Sequence, residues 1–509
     1  MQAKNKADNR IINVRPLCIV AVCFIAGIFC AYKAICGEYL LAVLPLAVFC
    51  LVIMGFCIFK GLKGRSFLLL FFVICLIFFF LGAINLGVRA DIARSVPNLS
   101  GRYYGKITEI KKYDSHRYRI VFKNRSIDGR EVSGNAVCYI FSESVSKKLL
   151  IGGEYAFDCE LENRLSSGES ETDIFAGNYY SITVTSEIEF VRDGANIFQK
   201  TQRYIKQLLK SGMNDKSYPI SIALVLGDVS EIESSILSNY RASGIAHVFA
   251  VSGLHVGTLA LAISFICKKL KLGSYKTLFA VAIPLIFYTG VCGFSASSVR
   301  ACIMSILLLL AGCVGFKRDT LSAIALAALI ITAVKPSAFF EAGFKLSFTA
   351  VVSIVILSPV FLRGTSGLKS LSKALSTTLS ASFGTLPIIT DMSGYISVIS
   401  LLANLIFVPI VMLTYQFLII CTSLAVLENL FFGGSSVCLF LPDKIIYAID
   451  YAVGLFDFAR ATVPFNFGNL TALYYVGLIA VSDVVNLTVK NKIIIGVITV
   501  CSILIISCV

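Results

Sequence analysis

The sequence predicts a polytopic α-helical membrane protein with a small extracytoplasmic β-barrel module inserted between its spans. Three observations carry that prediction. Hydrophobic residues make up 57% of the chain and charged residues 15%, whereas soluble proteins are about half apolar and about a quarter charged. Apolar runs approaching the ~20 residues a membrane span needs recur along the chain, about a dozen in all. One stretch, 89–194, departs from this and alternates polar and apolar residues with the period of strands.

The first three apolar runs are 16–32, 39–59 and 67–88. The earliest resembles a signal peptide, but it lacks a small-x-small cleavage pattern and two further runs follow it, so it is read as a retained anchor. After the polar stretch, apolar runs resume at 244–267, 275–294, 298–316, 321–334, 346–362, 371–389, 396–427, 470–485 and 493–509. The run 396–427 contains Pro409 and is expected to be kinked or to hold two spans. Charge fixes the expected orientation. Lys4, Lys6, Arg10 and Arg15, then Lys60, Lys63 and Arg65, mark cytoplasmic segments, because cytoplasmic loops retain Lys and Arg. Three spans from that start place 89–194 outside. Lys268, Lys269 and Lys271, then Lys317 and Arg318, then Arg363, Lys369 and Lys373 return inside at the expected intervals, and the turns near 291–296 and 390–395 are poor in both residues. This is the arrangement of a multi-pass protein of the cytoplasmic (inner) membrane with a cytoplasmic N-terminus. The net charge of +15 fits such a protein, and it equally fits an anionic cargo.

Seventeen cysteines suggest a disulfide scaffold, but most lie in apolar runs, where a thiol behaves as a small hydrophobe. No CxxC pair occurs, so neither a zinc nor an iron–sulfur centre is expected, and no cofactor is assigned. Cys138 and Cys159 are different: both fall in expected strands of the outer module, where disulfides persist, and a bond between them is expected, with two buried thiols as the alternative.

Strands of that module are expected at 103–111, 117–123, 134–141, 154–162 and 180–190, five in about a hundred residues, which suits an OB-like barrel. Arg119, Val121 and Lys123 alternate with Tyr118, Ile120 and Phe122. Arg102, Lys106, Lys111, Lys112, Arg117, Arg119, Lys123 and Arg125 concentrate in the first half, with Tyr104 among the interleaved tyrosines. Such a mixture stacks bases and tracks phosphates, and these residues are candidates for capturing a single strand of nucleic acid. A solvated strand face over core tyrosines explains the same pattern, and acidic residues from Glu154 to Asp173 bring the module near neutrality. Beyond it, 196–212 sets Ile197, Tyr204, Leu208 and Leu209 against Lys200, Arg203, Lys206 and Lys210, a basic amphipathic helix expected to lie on the outer membrane surface. The expected division is three spans in 1–88, the β-module in 89–194, the interfacial helix in 195–213 and the main transmembrane domain in 214–509.

Two of the three histidines fall in HVFAVSGLHVG, 247–257. On one unbroken helix His247 and His255 would be roughly 12 Å apart in rise, too far to share a metal ion, whereas a break at Gly253 leaves a shared site open, though no third ligand stands at metal spacing. Ser252 and His255 stand three apart and could hydrogen-bond, but a hydrolase needs an orienting acid, and Asp228 is the only acid of note nearby. Ionisable residues in spans are costly and face a bundle interior or a watery cavity. Arg300, Glu341, Lys345 and Asn404 add polar character on several spans, and Gly253, Gly257, Gly293 and Ser295 permit close helix approach. The residues alone suggest a channel or transporter for a polar, anionic cargo. An intramembrane enzyme and a scaffold without transport are the alternatives.

ALVLGDVSEI, YRASGIAHVFAVSGLHVG, GFSASSVRACIM and EAGFKLSFTAVVSI occur in that order, followed by LPIITDMSGYISVISLLANLIFVP. This series resembles the signatures of ComEC-type competence proteins over about 218–409, and the N-terminal spans and β-module are similar to that family's arrangement. The resemblance implies an inner-membrane channel for single-stranded DNA in natural transformation, and not an enzyme. Its motif positions fall here on Asp228, Arg241, His247, Ser252, Gly253, His255, Arg300, Phe344, Ser347 and Asn404. Lys345 stands where the family more often has glutamine. Many members carry a metallo-β-lactamase-like nuclease with an HxHxDH cluster. No histidine follows His255 here, so the nuclease is expected to be absent or supplied by another polypeptide. With no Walker motif, drive from ATP is expected from a cytoplasmic ATPase or helicase. A DNA receptor, membrane lipid and a second copy of the chain complete the expected partners.

Overall fold

In the computed structural model of the chain, the described residues are 15–38, 65–112, 117–141, 149–165, 171–251, 253–315, 319–362, 369–397, 400–432, 437–456, 462–482 and parts of 491–499. The run expected at 39–59 and most of that at 493–509 lie outside them. Helices α1 (Pro16–Ile35) and α2 (Arg65–Ser95) come first. Strands β1 (Leu99–Lys112), β2 (Tyr118–Ile127), β3 (Arg130–Glu131), β4 (Asn135–Ile140) and β5 (Gly153–Asn163) follow, then α3 (Glu171–Phe175), β6 (Asn178–Val184) and β7 (Glu189–Asp193). Next are α4 (Ile197–Gly212), α5 (Ser217–Leu226), α6 (Ser234–Ala242), α7 (Gly253–Lys269), α8 (Ser274–Val291), α9 (Ala296–Val314), α10 (Thr320–Val334), α11 (Ala342–Leu362) and α12 (Lys369–Ser393). The short strand β8 (Tyr395–Ser397), α13 (Ser400–Phe432), α14 (Phe440–Phe456), β9 (Thr462–Pro464) and α15 (Thr471–Val481) end the series.

Among the described residues six helices are long and apolar enough to cross a membrane: those at Pro16–Ile35, Leu70–Ser95, Ser274–Val291, Ala296–Val314, Ala342–Leu362 and Leu402–Phe431. The protein is therefore a multi-pass membrane protein. Ser217–Leu226, Thr320–Val334 and Thr471–Val481 are apolar but shorter. Helices α1 and α2 touch backbone to backbone. A Cβ on Gly27 would stand 1.9 Å from the Phe79 carbonyl oxygen, and one on Gly82 2.1 Å from that of Phe24, the close approach small residues allow. Helix α2 outlasts its apolar run because its polar end has partners: Asn85 Nδ2 and Arg89 Nη2 donate to the carbonyls of Ala333 and Val334 at 2.8 and 2.7 Å, at the end of α10. Helix α13 keeps Pro409 inside one continuous helix of 33 residues.

The β-module closes into a barrel. Strand β1 pairs with β2 and β5, β2 with β4, β4 with β6 in parallel, and β6 with β5. This is the OB-like connectivity expected. Ile120 and Phe122 face a core with Tyr103 and Phe157, whose rings lie 5.0 to 6.0 Å from each other or from Phe122, while Lys123 and Arg125 point out. The strand expected over 180–190 is two strands, with Ser186 at the break accepting the Asp158 N–H at 2.8 Å. The expected Cys138–Cys159 disulfide is absent: both are free, buried thiols. They sit on β4 and β5, which are separated by β6, and two strand spacings are about 8 to 10 Å, beyond the reach of a disulfide.

The barrel sits at one end of the bundle. Phe175 of α3 meets Tyr32 near the end of α1 at 6.2 Å, and Tyr32 meets Phe340 at 4.4 Å. Helix α4 bridges the barrel and the bundle. Its N-terminus carries a capping box between Asn196 and Gln199. Arg203 donates to the Ile151 carbonyl at 3.1 Å and to Asp193 at 2.9 Å, while Phe198 packs 5.6 Å from both Phe287 and Phe294. The sequence reading laid this helix on lipid. In the structure Leu208 and Leu209 are buried beside α5 and α13 with Tyr204 packed against them, while Ile197 is exposed. At the opposite end Arg15 pairs with Asp319 at 2.5 Å, and Lys268, Lys269, Lys271 and Lys276 are exposed.

Candidate functional site

Three helices start together at the barrel end. Chain reversals deliver each one. Before α7, where the apolar run suggested continuous helix from 244, the chain makes a short 3-10 turn at Ala246–Phe249 and then extends at Ala250. His247 and His255 are thus on different elements. Before α9, Gly293 and Phe294 take positive φ (72° and 53°), and Ser295 caps the helix by accepting the Ser298 N–H. Before α11, a 3-10 turn at Pro336–Phe340 reverses the chain. Helix starts leave unpaired N–H groups and a partial positive charge.

Helix α9 packs between α7 and α11, and Arg300 lies at their junction. It is 3% exposed. Its Nη2 lies 3.1 Å from where a Cβ on Gly253 would stand, and its Cζ lies 5.5 Å from the Phe348 ring centre. Nε and Nη1 are buried without a hydrogen-bond partner, and among the described residues no carboxylate pairs with the guanidinium. Ser297 and Ser347 join α9 to α11 through their hydroxyls at 3.2 Å. Phe344 stacks on Phe348 at 4.2 Å and firms the wall beside the guanidinium.

The other sequence candidates divide by place. Glu341 and Lys345 stand at the start of α11. Glu341 accepts Lys335 Nζ at 2.5 Å, and Lys345 is exposed. Ser252 falls outside the described residues. His255 is 1% exposed and edge-on to Tyr415 at 4.2 Å; Tyr415 donates to the Tyr288 hydroxyl at 3.1 Å, which donates to the Val225 carbonyl at 2.8 Å. Its imidazole thus belongs to an aromatic seam joining α7, α13, α8 and α5. Asp228 accepts Lys206 Nζ at 2.6 Å and the Ser230 N–H at 3.0 Å. Gly227 before it has φ +74°, and a Cβ there would come 3.0 Å from Val251, so this corner backs the segment leading into α7. Asn404 is half-buried on α13, with its Oδ1 lacking a partner among the described residues. Arg241 and His247 are exposed, with His247 Nδ1 3.2 Å from the Gly244 carbonyl. The structure therefore gathers Arg300, Ser347 and the starts of α7 and α11. It sets Asp228, His255 and Asn404 in the neighbouring packing. Sequence reasoning missed Phe348, Ser297, Tyr288 and Tyr415; only the Phe344–Phe348 spacing of one helical turn signalled any of them.

Most of the barrel's cations are already matched. Arg119 is 9% exposed and forms a two-pronged pair with Asp173 at 2.7 and 2.8 Å, so it does not belong to an open capture face. Arg102 pairs with Glu189 at 2.6 Å, Lys111 with Glu109, and Lys106 donates to the Gly194 carbonyl at 2.7 Å. Tyr104 donates to Glu154, which also accepts Arg192 at 2.6 Å, with Arg125 at 3.8 Å. Burial alone would raise the Glu154 pKa, but hydrogen bonds from Arg192 and Tyr104 and the charges of Arg192 and Arg125 outweigh it and hold the carboxyl below its usual range. Asp173 follows the same pattern: burial opposes the charge, and Arg119 and Arg164 override it. Lys123 is exposed, and Arg117 lies 4.3 Å over Tyr139, near the 70%-exposed Phe141. The Lys112 side chain is outside the described set.

Fold and site together define a multi-pass membrane protein whose polar helix starts converge at the end that carries a small β-barrel. The chain belongs to the competence protein family. The family model, Competence protein, matches residues 224–485, slightly more than half of the chain. ComE operon protein 3 of Bacillus subtilis (strain 168) is similar at 28% identity over 287 residues, covering 54% of this chain and 36% of that protein. The matched part thus spans about a third of that relative's length. No solved structure matches the chain.

Proposed function

We propose that the protein is an inner-membrane channel that passes single-stranded DNA into the cytoplasm during natural transformation. The observation that carries this reading is the convergence of three helix starts on a buried, unmatched Arg300, within the segment that matches the competence family and at the end where the barrel docks. In this reading about a dozen spans, each near the ~20 residues a bilayer requires, cross the membrane. The N-terminus is cytoplasmic and the barrel is outside. The exposed lysines opposite the barrel support that orientation. Residues 214–509 form the conducting domain. Arg117, Tyr139, Phe141 and Lys123 offer the stacking and charge that capture a strand. Strand delivery, ATP-driven pulling and strand degradation fall to a receptor, a cytoplasmic ATPase or helicase and a separate nuclease, with a second copy of the chain as a further partner. Few charges along the path suit conduction, since binding must be weak enough for the strand to leave.

The test is uptake of labelled DNA in a deletion strain that carries either the wild-type chain or Arg300→Ala. Restored uptake with the wild type, and loss with the variant at equal membrane abundance, is expected. Full uptake with the variant removes Arg300 from the path, and normal uptake in the deletion strain itself ends the channel reading.

A further inference from the structure

We propose that Arg300, together with the start of α7, forms a binding site for a single phosphate oxyanion. Four cations are buried among the described residues: Arg119, Arg164, Arg300 and Lys492. Three of them have oxygen partners. Arg119 and Arg164 share Asp173, and Lys492 Nζ donates to the Ser482 carbonyl at 2.8 Å. Arg300 alone has none, with Nε and Nη1 sealed from solvent. Burying an uncompensated charge is strongly unfavourable. The surroundings worsen it. Arg300 stands in the second turn of its own helix and touches the first residue of α7, so a cation is held beside two positive helix ends. An anion shared between the guanidinium and those N–H groups reverses every one of these terms.

The shape fits that occupant. Phe348 approaches the guanidinium at 5.5 Å; a ring against its face leaves the in-plane N–H edges for a ligand. Gly253 puts only hydrogen where a methyl would stand 3.1 Å from Nη2. A guanidinium fork matches two oxygens of a phosphate, and helix-start N–H groups suit the remaining oxygens. The α7 start is part of the site, not merely its neighbour, because Nη2 is the atom nearest the space that a Cβ on Gly253 would take. The phosphate has two sources, a nucleic-acid backbone or the free anion. The first rests on the channel reading; the site itself does not.

The test uses the full chain in lipid nanodiscs and three probes: inorganic phosphate, a thymidine oligonucleotide, and the same oligonucleotide with an uncharged methylphosphonate backbone. Wild type is compared with Arg300→Met and Arg300→Lys by thermal unfolding and by binding anisotropy. The phosphodiester strand should raise the wild-type melting temperature and the methylphosphonate strand should not. Arg300→Met should melt above wild type without ligand, because a stranded charge has gone. It should bind the phosphodiester strand about tenfold more weakly, the loss of one charge-assisted contact. Arg300→Lys should fall between, since it keeps charge without the fork. If Arg300→Met melts below wild type and binds as tightly, the site is wrong. If phosphate protects wild type through Arg300 while the oligonucleotide does not, the site stands and the DNA reading fails.

Discussion

Arg164 in the barrel and Arg300 in the bundle are buried to the same degree, 2% and 3% exposed, and are treated oppositely. Arg164 shares Asp173 with Arg119, and Asn178 steadies the same carboxylate at 2.6 Å. Arg300 has a phenylalanine face and two helix starts, and no acid pairs with it among the described residues. In the barrel the charges are architecture, spent on each other. In the bundle a charge is kept unspent, which is sensible only where a ligand completes it.

Breaking each side separates the two roles most strongly. Asp173→Ala removes the carboxylate that two buried guanidinium groups share, although Arg119 keeps Glu109 at 3.4 Å, and should destabilise the barrel by about 3 kcal/mol, in the range for removing one partner of a buried pair. Hydrogen exchange across β4 and β6 in the full chain would read the loss. A silent Asp173→Ala would mean that the barrel's pairs are incidental, and the contrast with Arg300 would collapse.

Acid sharpens the same comparison with a smaller effect. Asp173 and Glu154 have folded pKa values below their unfolded ones. Their contribution is therefore fully present above the unfolded values, about 3.9 and 4.3, and is lost as pH falls through the folded values. Protection of β1, β5 and β6 against exchange should decline on going from pH 6 toward 3. Asp173→Asn should flatten that decline and start from a lower level. Unchanged protection across that range would show that the two carboxylates carry no folding energy.

How much of this was legible follows from which forces are local. The barrel strands were visible because alternation such as Tyr118–Lys123 is written residue by residue. The ion pair that buries Arg119 was not, because Asp173 is 54 residues away and only barrel closure joins them. The three spans' polar residues could be picked out, but their meeting point could not. Hydropathy read VFAV before Gly253 as helix, whereas Ala250 is extended and the helix starts three residues later. That break turns a histidine pair into two unrelated residues and creates the helix start facing Arg300. The amphipathic stripe of α4 was equally plain, yet sequence could not say that Leu208 and Leu209 cover protein.

The smallest expected effect lies on the barrel's outer face, where a charge is neither spent in architecture nor sealed. Lys123 is exposed on β2, directed away from the Phe122 core. Lys123→Gln should change stability by no more than about 0.5 kcal/mol, as surface substitutions usually do. If the lysine screens one phosphate of a captured strand, the slope of log affinity against log salt should shrink by about 0.7, the single-strand value per contact. Arg300→Met should leave a larger mark on affinity, because its contacts are desolvated and Lys123's are not. Binding titrations of the full chain over a range of salt read both. An unchanged slope with Lys123→Gln would move strand capture away from this face, leaving the aromatic edge at Arg117, Tyr139 and Phe141 as the barrel's remaining contact.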